Sequence, residues 1–290
     1  VTEITFLKSV HHYDSYTDFF KLAELAGFPV KRVDELDVSQ PGVFITSPMN
    51  GDWREHLRSQ ADRTRNAHLI LWNIERPAGS SGSVGQYGES NRRLMYGQEE
   101  DGSKAPCRYI DEVWVSDRQL ALETGLRFVP LGSNAGMGRP GQPNEKRYDL
   151  VHISYTGPPR RQTIYNHFQK SQVGPNCWPP ERDKVLQRSR FALNVHQDNH
   201  PFCEPLRFAL FAAYGLPILT ETVIDAFPYC DRTMQFANYD HLVPRMRDML
   251  KDDYNRWLAM GQRCRDRMIG EFEFGKVVKE AVNQTVGDWR

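Results

Sequence analysis

Along residues 1–131, short runs rich in β-branched and aromatic residues alternate with stretches whose apolar positions recur at helical spacing. The runs 4–10, 43–46, 68–74, 112–116 and 127–131 read as strands, and 16–26, 53–66 and 118–124 as helices. Such alternation predicts a parallel sheet covered by helices on both faces. Residues 77–108 interrupt it, glycine-rich and polar around 79–88, and read as one long loop. The stretch 132–144, GSNAGMGRPGQPN, has no apolar period and is expected to be an interdomain linker. A second alternation follows, with strands at 148–154, 191–196 and 217–220 and helices at 161–170, 181–189 and 205–214. From residue 241 the pattern is helical, a tail able to cover one domain or cross back onto the other. Its stripe Trp257, Met260, Cys264 and Met268 has the spacing of a core-facing helix side. The expected fold is α/β, with two Rossmann-like domains and a helical C-terminal tail. The expected boundaries are 1–131 for the first domain, 132–144 for the linker and 145–290 for the second domain with the tail.

Composition narrows the function classes. The chain has 290 residues, enough for two cores. Its 37 basic and 37 acidic residues cancel, so any anion must be held by a local site and not by a global field. No apolar run is long enough to span a bilayer and the first residues lack a secretory pattern, so stable membrane insertion is not expected and a cytoplasmic protein is. Five cysteines without a C-x-x-C pair fit reduced thiols.

Ligands of open α/β sheets bind beyond the carboxyl ends of the strands, which directs attention to HQDNHPFCE after the strand 191–196. Pro205 suits a first helical position, putting Glu204 near the N-cap and Arg207 in the first turn. The unpaired N–H groups of such a helix start attract phosphate, and a guanidinium adds bidentate bonds to it. Glu204 would accept from ribose or sugar hydroxyls; the alternative is that it only caps a helix whose Arg207 is a surface partner. In SYTGPPRRQ, Gly157 would let backbone approach phosphate while Arg160 and Arg161 neutralise it, or the pair forms an ordinary solvated turn.

The segment ALNVHQDNHPFCEPLRFALFAAYGLPILTE resembles the donor-binding segment of GT-B glycosyltransferases of the family-1/family-4 kind. Ala213, Gly215, Pro217 and Ile218 match the A-x-G-x-P-h-h ending of that segment. YIDEVWVSDRQLALETGLRFVPLG resembles the end of the acceptor-side domain and RYDLVHISYTGPPRRQTIYNHF the opening of the donor-side domain, in the family's order. The resemblance implies GT-B architecture, a nucleoside-diphosphate sugar such as a UDP-sugar or GDP-sugar as donor, no other cofactor, and hexosyl transfer. It implies donor contacts for Gly157, Arg160, Arg161, His196, Glu204, Arg207 and Glu221. The chain departs from the E-x7-E pattern of retaining members: Leu210 stands where the second glutamate falls and Glu204 is offset from the first, although retention stays slightly favoured.

His11, His12 and Asp14 follow the first strand, where a βα loop would face the interdomain cleft and could supply a general base; a surface turn is the other reading. Glu75, ending LILWNIE, could meet the acceptor or pair with Arg76. No metal site is expected, because neither Asp111–Glu112 nor Asp252–Asp253 is a D-x-D at a strand end, and GT-B enzymes stabilise the leaving diphosphate with helix dipoles and basic residues. The acceptor stays open among protein, glycan and modified DNA. The alternatives to a transferase are a GT-B-like protein that only binds nucleotide or glycan, and a sugar-nucleotide epimerase of the same fold.

Overall fold

The computed structural model of the chain describes residues 3–9, 17–47, 52–74, 109–153, 158–196, 203–229 and 233–287. It divides into two compact units, Val1–Leu131 with Phe274–Arg290, and Gly132–Glu273. In the first, strands β1 (Ile4–Lys8), β2 (Val30–Arg32), β3 (Gly42–Thr46), β4 (Ala67–Asn73), β5 (Glu112–Val115) and β6 (Arg127–Phe128) form one sheet in the order β2-β1-β3-β4-β5-β6. Every pairing is parallel. All residues of β3 and β4 are buried, as a sheet covered on both faces requires. The order reverses between β1 and β3, so the carboxyl ends of those strands are the topological switch point of this unit.

Among the described residues the α-helices of this unit are α1 (Thr17–Leu25), α2 (Asp52–Ser59), α3 (Arg118–Thr124) and the last helix, which is taken up below in chain order. Asp117 caps α3 by accepting from the Leu120 N–H at 2.9 Å, and Gly125, with φ of 71°, ends it. Helix α2 stops at Ser59, short of the expected 66. There Gln60 turns inward, donating to Leu36 O at 2.7 Å and accepting from the Val38 N–H at 2.9 Å, which competes with another helical turn. Strand β2 was not expected, being three residues long at a sheet edge with little apolar signal.

In the second unit β7 (Tyr148–Val151), β8 (Ser189–Asn194), β9 (Ile218–Glu221) and β10 (Met234–Ala237) run parallel in the order β10-β9-β8-β7. Its α-helices among the described residues are α4 (Pro159–Tyr165), α5 (Glu181–Gln187), α6 (Pro205–Ala213), α7 (Leu242–Lys251) and α8 (Tyr254–Gly270). Trp257, Met260, Cys264 and Met268 are buried on α8, the core stripe its spacing predicted. Residues 132–144 fall within this unit and are packed: the Ser133 hydroxyl donates to Ala209 O at 3.1 Å on α6. Helix α9 (Phe274–Gly287), assigned from sequence to the second domain, packs in the first unit instead. Its first residue, Phe274, is fully buried against the rings of Phe6, Phe19 and Trp72. No helix among the described residues is long and apolar enough to cross a membrane.

The position of α6 depends on a close backbone approach. A Cβ on Gly261 of α8 would lie 2.3 Å from Gly215 O and 2.7 Å from Pro217 N, in the turn that follows α6. An alanine at an open helical site gains about 1 kcal/mol over glycine. Here Gly261→Ala is expected to lose roughly 1–3 kcal/mol by overpacking, read as a lowered urea midpoint with an unchanged slope.

Candidate functional site

At the carboxyl ends of β7, β8 and β9 the chain gathers titratable side chains that are far apart in sequence. Strand β8 ends at Asn194 and leads through Val195 to His196; β9 ends at Glu221; α4 and α6 both start at prolines, which need no N–H partner there. Glu204 occupies the N-cap position of α6, yet its side chain makes no capping hydrogen bond. It turns instead toward basic groups. One carboxylate oxygen lies 2.5 Å from Arg207 Nη1 and 3.5 Å from Arg161 Nη2, and the other lies 3.7 Å from His196 Nδ1.

Each basic group is also tied to the sheet. The Arg161 side chain, 4% exposed, donates from Nε to Val195 O at 2.9 Å. Arg207 donates to the Asn194 amide oxygen, and Asn194 in turn donates to the Thr220 hydroxyl at 3.0 Å. Burial works to raise the Glu204 pKa, but the nearby Arg207, His196 and Arg161 outweigh it and hold the carboxyl down to about 2. Glu204 is therefore an ionised carboxylate, 12% exposed, that keeps two guanidiniums close together.

Arg160 and Glu221, both expected at a donor, are bound to each other. The guanidinium grips both carboxylate oxygens, with Nη1 to Oε2 at 2.6 Å, and lies 3.9 Å over the Tyr239 ring. Tyr239 donates its hydroxyl to Arg160 O at 2.8 Å, and the His196 N–H donates to Glu221 Oε2 at 3.1 Å. This second pair braces the backbone that carries His196. Among the described residues, three guanidiniums against two carboxylates leave the cluster with an excess of positive charge, beside an α6 start whose first-turn N–H groups lack a cap from Glu204.

Of the expected site residues, Arg160, Arg161, His196, Glu204, Arg207 and Glu221 thus come together, whereas His11, His12, Asp14, Glu75 and Gly157 lie outside the described residues. Sequence reasoning missed His152, which directly follows β7 and is 6% exposed. Burial, then the charges of Arg207 and Arg161, push its pKa down to about 4. Its signal in the sequence was a histidine directly after the strand segment YDLV, the position from which strand-end ligands come.

No protein-family model and no curated protein sequence matches the chain. Solved structures do resemble it. Anabaena HepE in complex with UDP-glucose aligns over 98% of this chain and 100% of its own, with a TM-score of 0.62 at 11% identity. Sucrose-phosphate synthase from Thermosynechococcus elongatus aligns over 99% and 100%, with a TM-score of 0.61 at 12% identity. TarM aligns over 83% of this chain at a TM-score of 0.55 and 11% identity, and the chain spans 54% of it. The two parallel α/β units and the helical C-terminal region are the GT-B glycosyltransferase fold.

Glu204 gives a pH signature. Its pKa in the folded chain lies below the ordinary 4.5, so its stabilisation is complete above that value and is lost as pH falls toward 2. Glu204→Gln, which leaves Arg161 and Arg207 uncompensated, is expected to cost about 3 kcal/mol near neutral pH. The gap between the two proteins should narrow between pH 4.5 and pH 2, measured by urea denaturation across that window.

Proposed function

We propose that this chain is a glycosyltransferase, transferring a hexose from a nucleoside-diphosphate sugar to a hydroxyl-bearing acceptor. The observation that carries the reading is the positive cluster of Arg161, Arg207 and the α6 start at the carboxyl ends of a parallel sheet within the GT-B fold. In breaking the bond between anomeric carbon and diphosphate, negative charge grows on the leaving phosphate. Fixed guanidiniums and backbone N–H groups aimed there favour the transition state over the ground state. Glu204 preorganises both guanidiniums, so little rearrangement is needed as that charge develops. The donor is proposed to be a UDP- or GDP-sugar, held in the second unit; that HepE is known in complex with UDP-glucose supports the choice.

Arg160 and Glu221 serve in this proposal as braces for His196, not as donor ligands. The acceptor is assigned to the first unit, and its hydroxyl proton to His11, His12 or Asp14, with Glu75 as an acceptor contact. Charge stabilisation by these groups needs no metal ion, and retention of anomeric configuration follows only from the family-4-like order of motifs. Leu210, 2% exposed in the core face of α6, stands where that order has an acid, and it favours one other reading: a GT-B-like protein that binds nucleotide or glycan without turnover.

A product assay separates the two. Purified protein is supplied with UDP- and GDP-sugars and a panel of protein, glycan and hydroxymethylated-DNA acceptors, and release of free nucleoside diphosphate is followed. Turnover supports the transferase. Binding of a donor with neither transfer nor slow hydrolysis supports the binder, and absence of binding by any nucleotide sugar rejects the transferase and a nucleotide binder alike, leaving only a glycan binder. In the active protein Arg207→Ala should lower kcat/KM by about 10²–10³-fold, the loss typical of one transition-state donor. Arg256→Ala, at a solvent-exposed ion pair with Asp252, should leave it unchanged.

A further inference from the structure

Asn194 ends β8 and is paired in register with Thr220 of β9, so the two side chains leave the same face of the sheet. Both residues are almost wholly buried, and polar groups withdrawn that far from water need partners. Their hydrogen bonds run in one direction. The Thr220 hydroxyl donates to Glu221 O at 3.0 Å, and a carbonyl oxygen can only accept. With its single proton used there, Thr220 accepts from Asn194 Nδ2 at 3.0 Å. The amide is thereby turned with Oδ1 toward Arg207, whose guanidinium can only donate. An acceptor-only group at one end and a donor-only group at the other fix the sense of every bond between them.

This chain bears on which edge of Arg207 meets a ligand. Nη1 carries two hydrogens and has two acceptors, Asn194 Oδ1 and, at 2.5 Å, a Glu204 carboxylate oxygen. With Nη1 held by both, the Nε–Nη2 edge is the part of the guanidinium presented to an anion, and its two parallel N–H groups match two phosphate oxygens. Glu204 alone would let the guanidinium pivot about one contact. A second acceptor on the same nitrogen removes that freedom. An amide does so without cancelling the positive charge, as a carboxylate in its place would.

We propose that Asn194 positions Arg207 for the leaving diphosphate, its own amide being set by Thr220. This rests on the donor reading above. The test is a double-mutant cycle on the whole chain, comprising the native protein, Asn194→Ala, Arg207→Ala and the double variant, each titrated calorimetrically with UDP and GDP. Those diphosphates carry in full the charge that develops during transfer. Thr220→Val, close to threonine in shape but without the hydroxyl, and Thr220→Ser, which keeps it, are titrated alongside.

Asn194→Ala is expected to weaken the better-bound nucleotide about tenfold when Arg207 is present, and less than about twofold once Arg207 is alanine. Thr220→Val should weaken it by about threefold, the worth of one neutral hydrogen bond, and Thr220→Ser should restore it. A side chain that served packing alone would give equal losses in both backgrounds. Equal losses, or native affinity in Asn194→Ala, would overturn the inference while a loss in Arg207→Ala keeps the donor reading intact. If Asn194→Ala fails to fold, the Thr220 pair decides: native affinity in Thr220→Val, or a loss that serine does not restore, overturns the inference. Binding of neither UDP nor GDP to the native protein, or no effect of Arg207→Ala, would overturn both.

Discussion

A carboxylate enclosed by two arginines and a histidine is the constraint on which the second unit is organised. Arg161 on α4 and Arg207 on α6 are both largely withdrawn from solvent, and two such cations near one another are tolerable only with an anion between them. Glu204 is that anion. Because it reaches Arg161, Arg207 and His196 at once, it ties two helix starts to the segment after β8, and the geometry of all three is set together. The cluster stays net positive after this pairing, the property an anion site needs.

The rest of the unit supports the cluster from behind. Gly261 allows α8 to lie flush against the turn after α6, and Ser133 bonds the same helix from the other end of the unit's sequence. On the far side Arg160, Glu221 and Tyr239 form a cation sandwiched between a carboxylate and a ring, with the His196 N–H joined to the same carboxylate. Side chains held by such second partners keep one orientation, and an electrostatic catalyst depends on that preorganisation.

Much of the architecture was legible because periodicity reports burial. The apolar runs of β4 and β8 and the Pro205 start of α6 follow from local rules. The short strands β2 and β10 were not, since three or four half-exposed residues carry little pattern. At the site, which residues converge was readable from the strand-end rule, but which pairs with which was not. Arg160 and Arg161 are adjacent and alike in sequence, yet one is spent on Glu221 and the other faces Glu204, because successive residues of α4 point in different directions. His152 escaped notice for a related reason: its significance comes from Tyr165, Arg161 and Arg207, which only the folded chain brings to it.

The central claim is that a nucleoside-diphosphate sugar binds at the Glu204 cluster of the second unit. Amide hydrogen exchange of the whole chain, with and without saturating UDP-glucose and a GDP-sugar, tests it most directly. The account predicts added protection in residues 192–196 and 203–213, around β8 and the start of α6, with one of the two donors. No change with either donor, or protection confined to the first unit, would contradict it.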